Sequence, residues 1–238
     1  MKISVLGATG GTGQTIVRQA LEAGHNVTAL VRRPEALRVT GQKLSILVGD
    51  ARDPDIIDQL VVAHDAVICS LGITVSRNMH EKINDDVRPD VCTVSTKLLF
   101  ESMLRYGVKR IVLMSTHGAG RSKDESPYVV RLRGLVQNRI LDKDEMEEFI
   151  ASNRVPIDWT VIRNPLIYDG PLGRPHDVYT RIELNRSAKI TYADLAAFAL
   201  AEIEVPRHVG QFLTITEPLD DLALMAEAEV AKIIVRRG

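Results

Sequence analysis

Lys2 to Leu6 is a short apolar run with two β-branched members, and it leads directly into Gly7-Ala8-Thr9-Gly10-Gly11-Thr12-Gly13. Beyond the glycines, Ile16, Val17, Ala20 and Leu21 are spaced as one face of a helix, and Gly24 is placed to end it. The order is strand, glycine turn, helix. A helix amino terminus leaves several backbone N–H groups without partners and carries the positive end of the helix dipole. Anions bind there. Gly7 lets the chain turn sharply off the strand, Gly10 removes a Cβ where a pyrophosphate would approach, and Gly13 lets the helix pack close to the sheet. Thr9 and Thr12 add hydroxyl donors beside Gly11. Glycine-rich turns also simply connect elements, but a turn placed between an N-terminal strand and an amphipathic helix favours a nucleotide. No Gly-Lys-Ser/Thr closes the motif, so a P-loop is excluded.

Asn26 to Val31 reads as the second strand, ending at Arg32-Arg33-Pro34. An NAD-preferring site of this kind would carry an acidic residue there, about 20 residues beyond the glycines, to bind the ribose hydroxyls. Two guanidiniums stand there instead. Their planar, paired donors fit a phosphate, so Arg32 and Arg33 favour the 2′-phosphate of NADP(H) over a role as solvated loop charges. Leu44 to Val48 is a third strand, and a helix is expected over Asp55 to Val62, with Asp53 a suitable cap. Further strands are expected at Asp65 to Cys69, Arg110 to Met114 and Ile157 to Arg163, with a helix from Val91 to Tyr106 stopped by Gly107. Ile73 to Pro89 reads as a polar loop containing Arg77, His80, Lys82 and Arg88.

The series Gly7 to Gly13, Val31-Arg32-Arg33, Val48-Gly49-Asp50, Ser70-Leu71-Gly72, Met114-Ser115-Thr116 and Arg163-Asn164-Pro165 resembles the atypical short-chain dehydrogenase/reductases. Within them it is most similar to NmrA-like proteins and to NADPH-dependent flavin and biliverdin-IXβ reductases. The resemblance covers about the first 165 residues. It implies that Asp50, followed by Ala51, meets the adenine edge, and that Leu71 and Gly72 lie over the ribose and phosphate. It also implies that Ser115 faces the nicotinamide and substrate, and that the backbone beside Pro165 holds the carboxamide. Plainer roles exist for each: Asp50 as a helix cap, Ser115 as a strand-end hydroxyl bonding backbone, Pro165 as the end of a ladder. Lys143 matches the family lysine on the nicotinamide ribose, although Asp142, Lys143, Asp144, Glu145, Glu147 and Glu148 also read as a solvated helix face.

The departure from that family is at its Tyr-x-x-x-Lys pair. None of Tyr106, Tyr128, Tyr168, Tyr179 and Tyr192 has Lys four residues later, and Arg139 stands where the tyrosine would be. A reductase for conjugated acceptors such as a flavin, quinone or bilin tolerates that loss, because the added electrons are delocalised. A non-catalytic NADP(H)-binding redox sensor of the NmrA-like type tolerates it too, whereas nucleoside-diphosphate-sugar epimerase chemistry ranks third.

With 238 residues and a net charge of -1, the chain suits one α/β domain with no bulk attraction to nucleic acid. The expected fold is a doubly wound, mainly parallel Rossmann-type sheet. Residues 1–165 form the cofactor-binding core and residues 166–238 a small carboxyl-terminal substrate region. In the latter, Leu166 to Leu184 reads as loops, Ile190 to Ala199 as a strand-to-helix passage, Gln211 to Ile215 as a last strand and Pro218 to Val235 as an amphipathic helix. No apolar run approaches the ~20 residues that span a bilayer, and Met1-Lys2 enters a strand without a signal peptide. Cys69 and Cys92 read as reduced apolar residues, and the six scattered histidines suggest no metal site. The expected protein is cytoplasmic, a monomer or homodimer, with a small-molecule acceptor as partner.

Overall fold

The computed structural model describes residues 1–72, 89–136, 138–185 and 188–219. The segment expected as a polar loop, with its arginines and His80, lies outside the described residues, as does almost all of the stretch expected as a carboxyl-terminal helix.

The chain runs β1 (Lys2–Leu6), α1 (Gly11–Glu22), β2 (Asn26–Val31), β3 (Leu44–Val48), α2 (Pro54–Val61), β4 (Ala66–Cys69), α3 (Val91–Tyr106) and β5 (Arg110–Thr116). It continues through α4 (Pro127–Val136), α5 (Arg139–Ser152), β6 (Asp158–Asn164), β7 (Leu166–Tyr168), β8 (Asp177–Tyr179), β9 (Lys189–Thr191), α6 (Tyr192–Glu204) and β10 (Gln211–Thr216). Eight strands form one sheet in the order β3-β2-β1-β4-β5-β6-β10-β8, parallel except where β8 runs antiparallel to β10. β7 and β9 form a separate parallel pair. Ile3 pairs Val27 on one side and Ala66 on the other, so the winding reverses at β1 and β4. Connections diverge there, which opens a crevice at the carboxyl ends of the strands.

The central strands read as apolar runs because both faces of the sheet are covered. Ile3 and Val5 pack toward Ile16, Val17 and Ala20 of α1 and Leu195 and Ala199 of α6. Leu6 points the other way, into Leu60, Leu99, Phe100, Met103 and Met146. Ser4 shares that second face, where its fully buried hydroxyl donates to the Leu60 carbonyl at 2.6 Å and so leaves no unpaired polar group. Helix ends follow local chemistry. Asp53 caps α2 by accepting from the Asp55 amide, with Pro54 in the first turn, and α3 ends at Gly107, where φ is +73°.

Two local expectations are corrected. Leu166 to Leu184 is not loop throughout, since β7 and β8 lie within it, and α4 occupies a stretch with no element foreseen. Three-residue strands are too short for an alternating pattern, and Val129 is the one buried residue of α4, so its apolar stripe is too narrow to read.

Candidate active site

A cleft of about 800 Å³ runs along the carboxyl edge of the sheet. It is lined at one end by Arg32, Asp50, Ala51 and Arg52, in the middle by Gly7, Thr9 to Gly13, Leu71 and Gly72, and at the other end by Ser115, Lys143, Asn164 and Pro165. All but one of the residues expected from the sequence therefore share one crevice. The exception is Arg33, which does not line it and instead precedes the short turn Pro34–Ala36, an exposed position.

The glycines divide into two kinds. At Gly7, φ is +74°, and an added Cβ would stand 2.6 Å from the Ser70 carbonyl; at Gly13 it would stand 2.1 Å from the Gly7 oxygen. Both are required by packing of the turn against β4 and of α1 against the turn. Gly10 is different: its φ is -75°, open to any residue, and a Cβ there meets nothing nearer than the Gly7 oxygen at 3.5 Å. The chain itself has no need of glycine at that position. Gly10 precedes α1 without any side-chain cap, and the first turn of α1 holds no acidic residue. Its first-turn amides are left without a capping side chain, the arrangement that suits an anion.

Tyr192, at the start of α6, was not foreseen. Its ring lies 2.8 Å and its hydroxyl oxygen 3.1 Å from where a Cβ on Gly11 would be, so a phenol hydroxyl stands beside the glycine turn. Arg52 was also missed. Its amide and guanidinium donate to Asp50, at 2.9 Å from the backbone and 3.1 to 3.2 Å from the side chain. Arg52, with a smaller contribution from Arg32, holds the Asp50 carboxyl below its usual range.

At the opposite end, Ser115 is 3% exposed, and its hydroxyl donates to Glu147 Oε1 at 2.6 Å. Arg163 holds the same carboxylate from the other side, with Nε 3.1 Å from both oxygens and Nη2 2.5 Å from Oε2, while its guanidinium lies 4.6 Å over the Phe212 ring. Burial raises the Glu147 carboxyl above its ordinary range, and the Arg163 guanidinium offsets only part of that rise. With a buried guanidinium as its partner, we read Glu147 as a carboxylate, because protonating it would strand that charge.

Lys143 Nζ donates to the carbonyls of Leu71 at 2.7 Å and Met114 at 2.6 Å, tying together the chain beyond β4 and the end of β5. The reading of this helix as a solvated face is corrected in part: Asp142, Lys143 and Glu147 are all buried. Asp142 is consumed by structure, accepting from the Cys92 and Thr93 amides at 2.8 Å each and capping α3 from outside. Glu147 lies one turn beyond Lys143, so their shared helix face was the available signal for it.

α4 and the start of α5 form the remaining wall through Tyr128, Leu132, Val136 and Arg139. The first three are four residues apart and present one helix face to the cleft. His117 lies behind them, 1% exposed, with its Nδ1 2.9 Å from the Thr214 hydroxyl and its ring edge against Tyr128.

A family model described as NAD(P)H-binding matches residues 7–206. The chain belongs to that NAD(P)H-binding family. The family statement agrees with the likeness drawn from the motifs. An uncharacterized Bacillus subtilis protein, YwnB, is 23% identical over 221 residues, which cover 90% of this chain and 98% of that one. Two solved structures share the fold. ChuY, an anaerobillin reductase from Escherichia coli O157:H7, is similar with a TM-score of 0.73 and 18% identity over 92% of this chain and 99% of its own. A short-chain dehydrogenase/reductase from Veillonella parvula, solved in complex with NADP, gives 0.69 with 13% identity over 91% and 94%. No helix among the described residues is long and apolar enough to cross a membrane.

Proposed function

We propose that the protein is an NADPH-dependent oxidoreductase that transfers a hydride to a conjugated small-molecule acceptor of the flavin, quinone or bilin type. The observation that carries this is that, among the described residues, neither the strand-end hydroxyl nor the α5 positions of the cleft offer a proton-transferring acid. The Ser115 proton goes to Glu147, the Lys143 ammonium is directed at two carbonyls, and Arg139 stands where a tyrosine would be. An arginine keeps its proton at any working pH. Acceptors that spread the incoming electron pair over a ring system have least need of such an acid, and solvent can complete their protonation.

Bound NADPH would supply the hydride from its nicotinamide ring. Toward it, Gly10 and the α1 amides hold the diphosphate, Arg32 takes the 2′-phosphate, and Asp50 and Ala51 border the adenine. Leu71, Gly72 and Lys143 border the nicotinamide ribose, and Pro165 the carboxamide. Arg33, outside the cleft, is left a solvated charge. Cys69 and Cys92 are buried free thiols, consistent with a cytoplasmic setting.

A second reading has an observation in its favour. Ser115 and Lys143 are already satisfied by protein partners, which equally suits an NADP(H) sensor of the NmrA-like type. Following NADPH absorbance with FMN, biliverdin, menadione and simple carbonyls separates the two. Oxidation with at least one conjugated acceptor is the expected result; tight NADPH binding without oxidation of any would favour the sensor.

A further inference from the structure

We propose that Tyr128, on α4, supplies the hydrogen-bond donor that faces the acceptor, meeting the negative charge that builds on the acceptor's heteroatom as hydride arrives. The proposal rests on the reductase reading above and assigns that site a residue from a different helix than the one that carries Lys143.

The hydroxyls at the strand ends are already spent. Ser115 donates to Glu147 at 2.6 Å, and Thr116 donates to the Asn164 carbonyl at 3.3 Å. With its proton committed to the Glu147 carboxylate that Arg163 pairs from the other side, Ser115 presents only lone pairs to the cleft. It accepts from a ligand N–H and stabilises no developing anion. Tyr128 differs: it lines the same cleft, and its hydroxyl has no hydrogen-bond partner among the described residues. The residue is half-buried, and with no protein acceptor on its hydroxyl the phenol keeps its donor available to a ligand in that cleft.

The ring is also held in place. Its neighbour His117 follows directly on β5 and stands with ring centroids 5.8 Å away at 68°, itself anchored by Thr214. Gly118, at φ +97°, brings the chain against Val129 and Leu132, which fixes the start of α4 over the end of β5. A donor so fixed before the ligand arrives needs no reorganisation during reaction.

Tyr128 is a donor of a hydrogen bond and not of a proton. Burial raises its hydroxyl above the ordinary tyrosine value, so it stays neutral. Two electrons and one hydrogen pass from the nicotinamide carbon to the acceptor, the C–H bond breaking as the new bond forms. The charge then rests on the acceptor heteroatom, which accepts from Tyr128 until solvent protonates it.

The test uses the full-length protein and Tyr128→Phe, which keeps the ring against His117. The first readout needs no turnover: 4-nitrophenolate is titrated into the NADP+ complex, and the band shift read is that of the bound ligand to shorter wavelength than in an aprotic solvent, which appears when its oxygen accepts a hydrogen bond. The second is kcat for NADPH oxidation with menadione and FMN, beside the NADPH dissociation constant. The expected result is loss of the band shift and a fall in kcat on the order of 100-fold in Tyr128→Phe, as for a lost oxyanion donor, with NADPH affinity unchanged. A variant that keeps the band shift, or keeps wild-type kcat, overturns the proposal while leaving the reductase reading intact. If the wild-type protein binds NADPH and oxidises no acceptor, the reductase reading fails and this proposal falls with it.

Discussion

Gly10→Ala separates what the glycine turn does for the fold from what it does for a ligand. In the fold, the added Cβ meets only the Gly7 oxygen at 3.5 Å, an ordinary contact, and the backbone at φ -75°, ψ 165° accepts alanine. Alanine before a helix is poorer than glycine by roughly 0.5 kcal/mol, and restricting the unfolded chain returns about 0.4–1 kcal/mol. The two offset one another, so stability should stay within about 0.5 kcal/mol of wild type by urea denaturation. Binding should not. A carbon that meets so little of the chain occupies cleft space and holds a phosphate off by about 1.5 Å, which breaks hydrogen bonds that need distances near 2.9 Å. Losing two charged hydrogen bonds at ~1.5 kcal/mol each weakens NADPH binding by roughly 100-fold. Titration of NADPH fluorescence measures this directly. Gly13→Ala is the contrast: its Cβ would lie 2.1 Å from the Gly7 oxygen, so it should lose stability with no ligand present. A Gly10→Ala protein that binds NADPH like wild type refutes the diphosphate cradle.

The two arginines after β2 should behave unlike each other: Arg32→Ala weakens NADP+ by about tenfold or more while sparing NAD+, and Arg33→Ala changes neither by more than about twofold. Equal effects on the two cofactors in a calorimetric titration would remove the preference for the phosphorylated one. Glu147→Ala strands the Arg163 guanidinium in a site where Arg163 is 4% exposed, at a cost of about 3–5 kcal/mol, and adding Arg163→Leu should recover much of it. Denaturation of both variants reads this out, and a single variant as stable as wild type contradicts the pairing. Burial lowers His117 from its ordinary 6.5 to about 4. Between those values the unfolded chain takes up a proton that the folded one refuses, so stability falls as pH drops through that window, by up to about 3 kcal/mol. In His117→Gln that part of the pH dependence should vanish from urea midpoints measured between pH 7 and 4; an unchanged slope would mean other groups carry it.

What the sequence displayed and what it hid follow one division. β1, the glycine turn and α1 were legible because their determinants are local: a run of apolar residues, glycines at fixed offsets, an apolar stripe of helical period. Strand ends were legible for the same reason, and they deliver Arg32, Asp50, Leu71, Ser115 and Pro165 to one crevice because a parallel sheet puts all its carboxyl ends on one edge. The wall facing them was not. α4 buries only Val129, so it has no stripe to recognise, and the cleft face made by Tyr128, Leu132 and Val136 looks like ordinary mixed sequence.

The acidic segment from Asp142 to Glu148 misled in the opposite direction, because charge density there reads as solvent exposure. Two of its carboxylates are buried by partners that lie far along the chain. Asp142 meets amides 49 and 50 residues away, and Glu147 meets Ser115 and Arg163 at separations of 32 and 16. The consequence for function is specific. Ser115 alone, at the end of an apolar strand, looks like a donor to substrate. Ser115 with Glu147 behind it is a donor already in use, so on the proposed reductase reading the hydrogen bond to the acceptor comes from elsewhere, from α4, whose sequence showed no pattern.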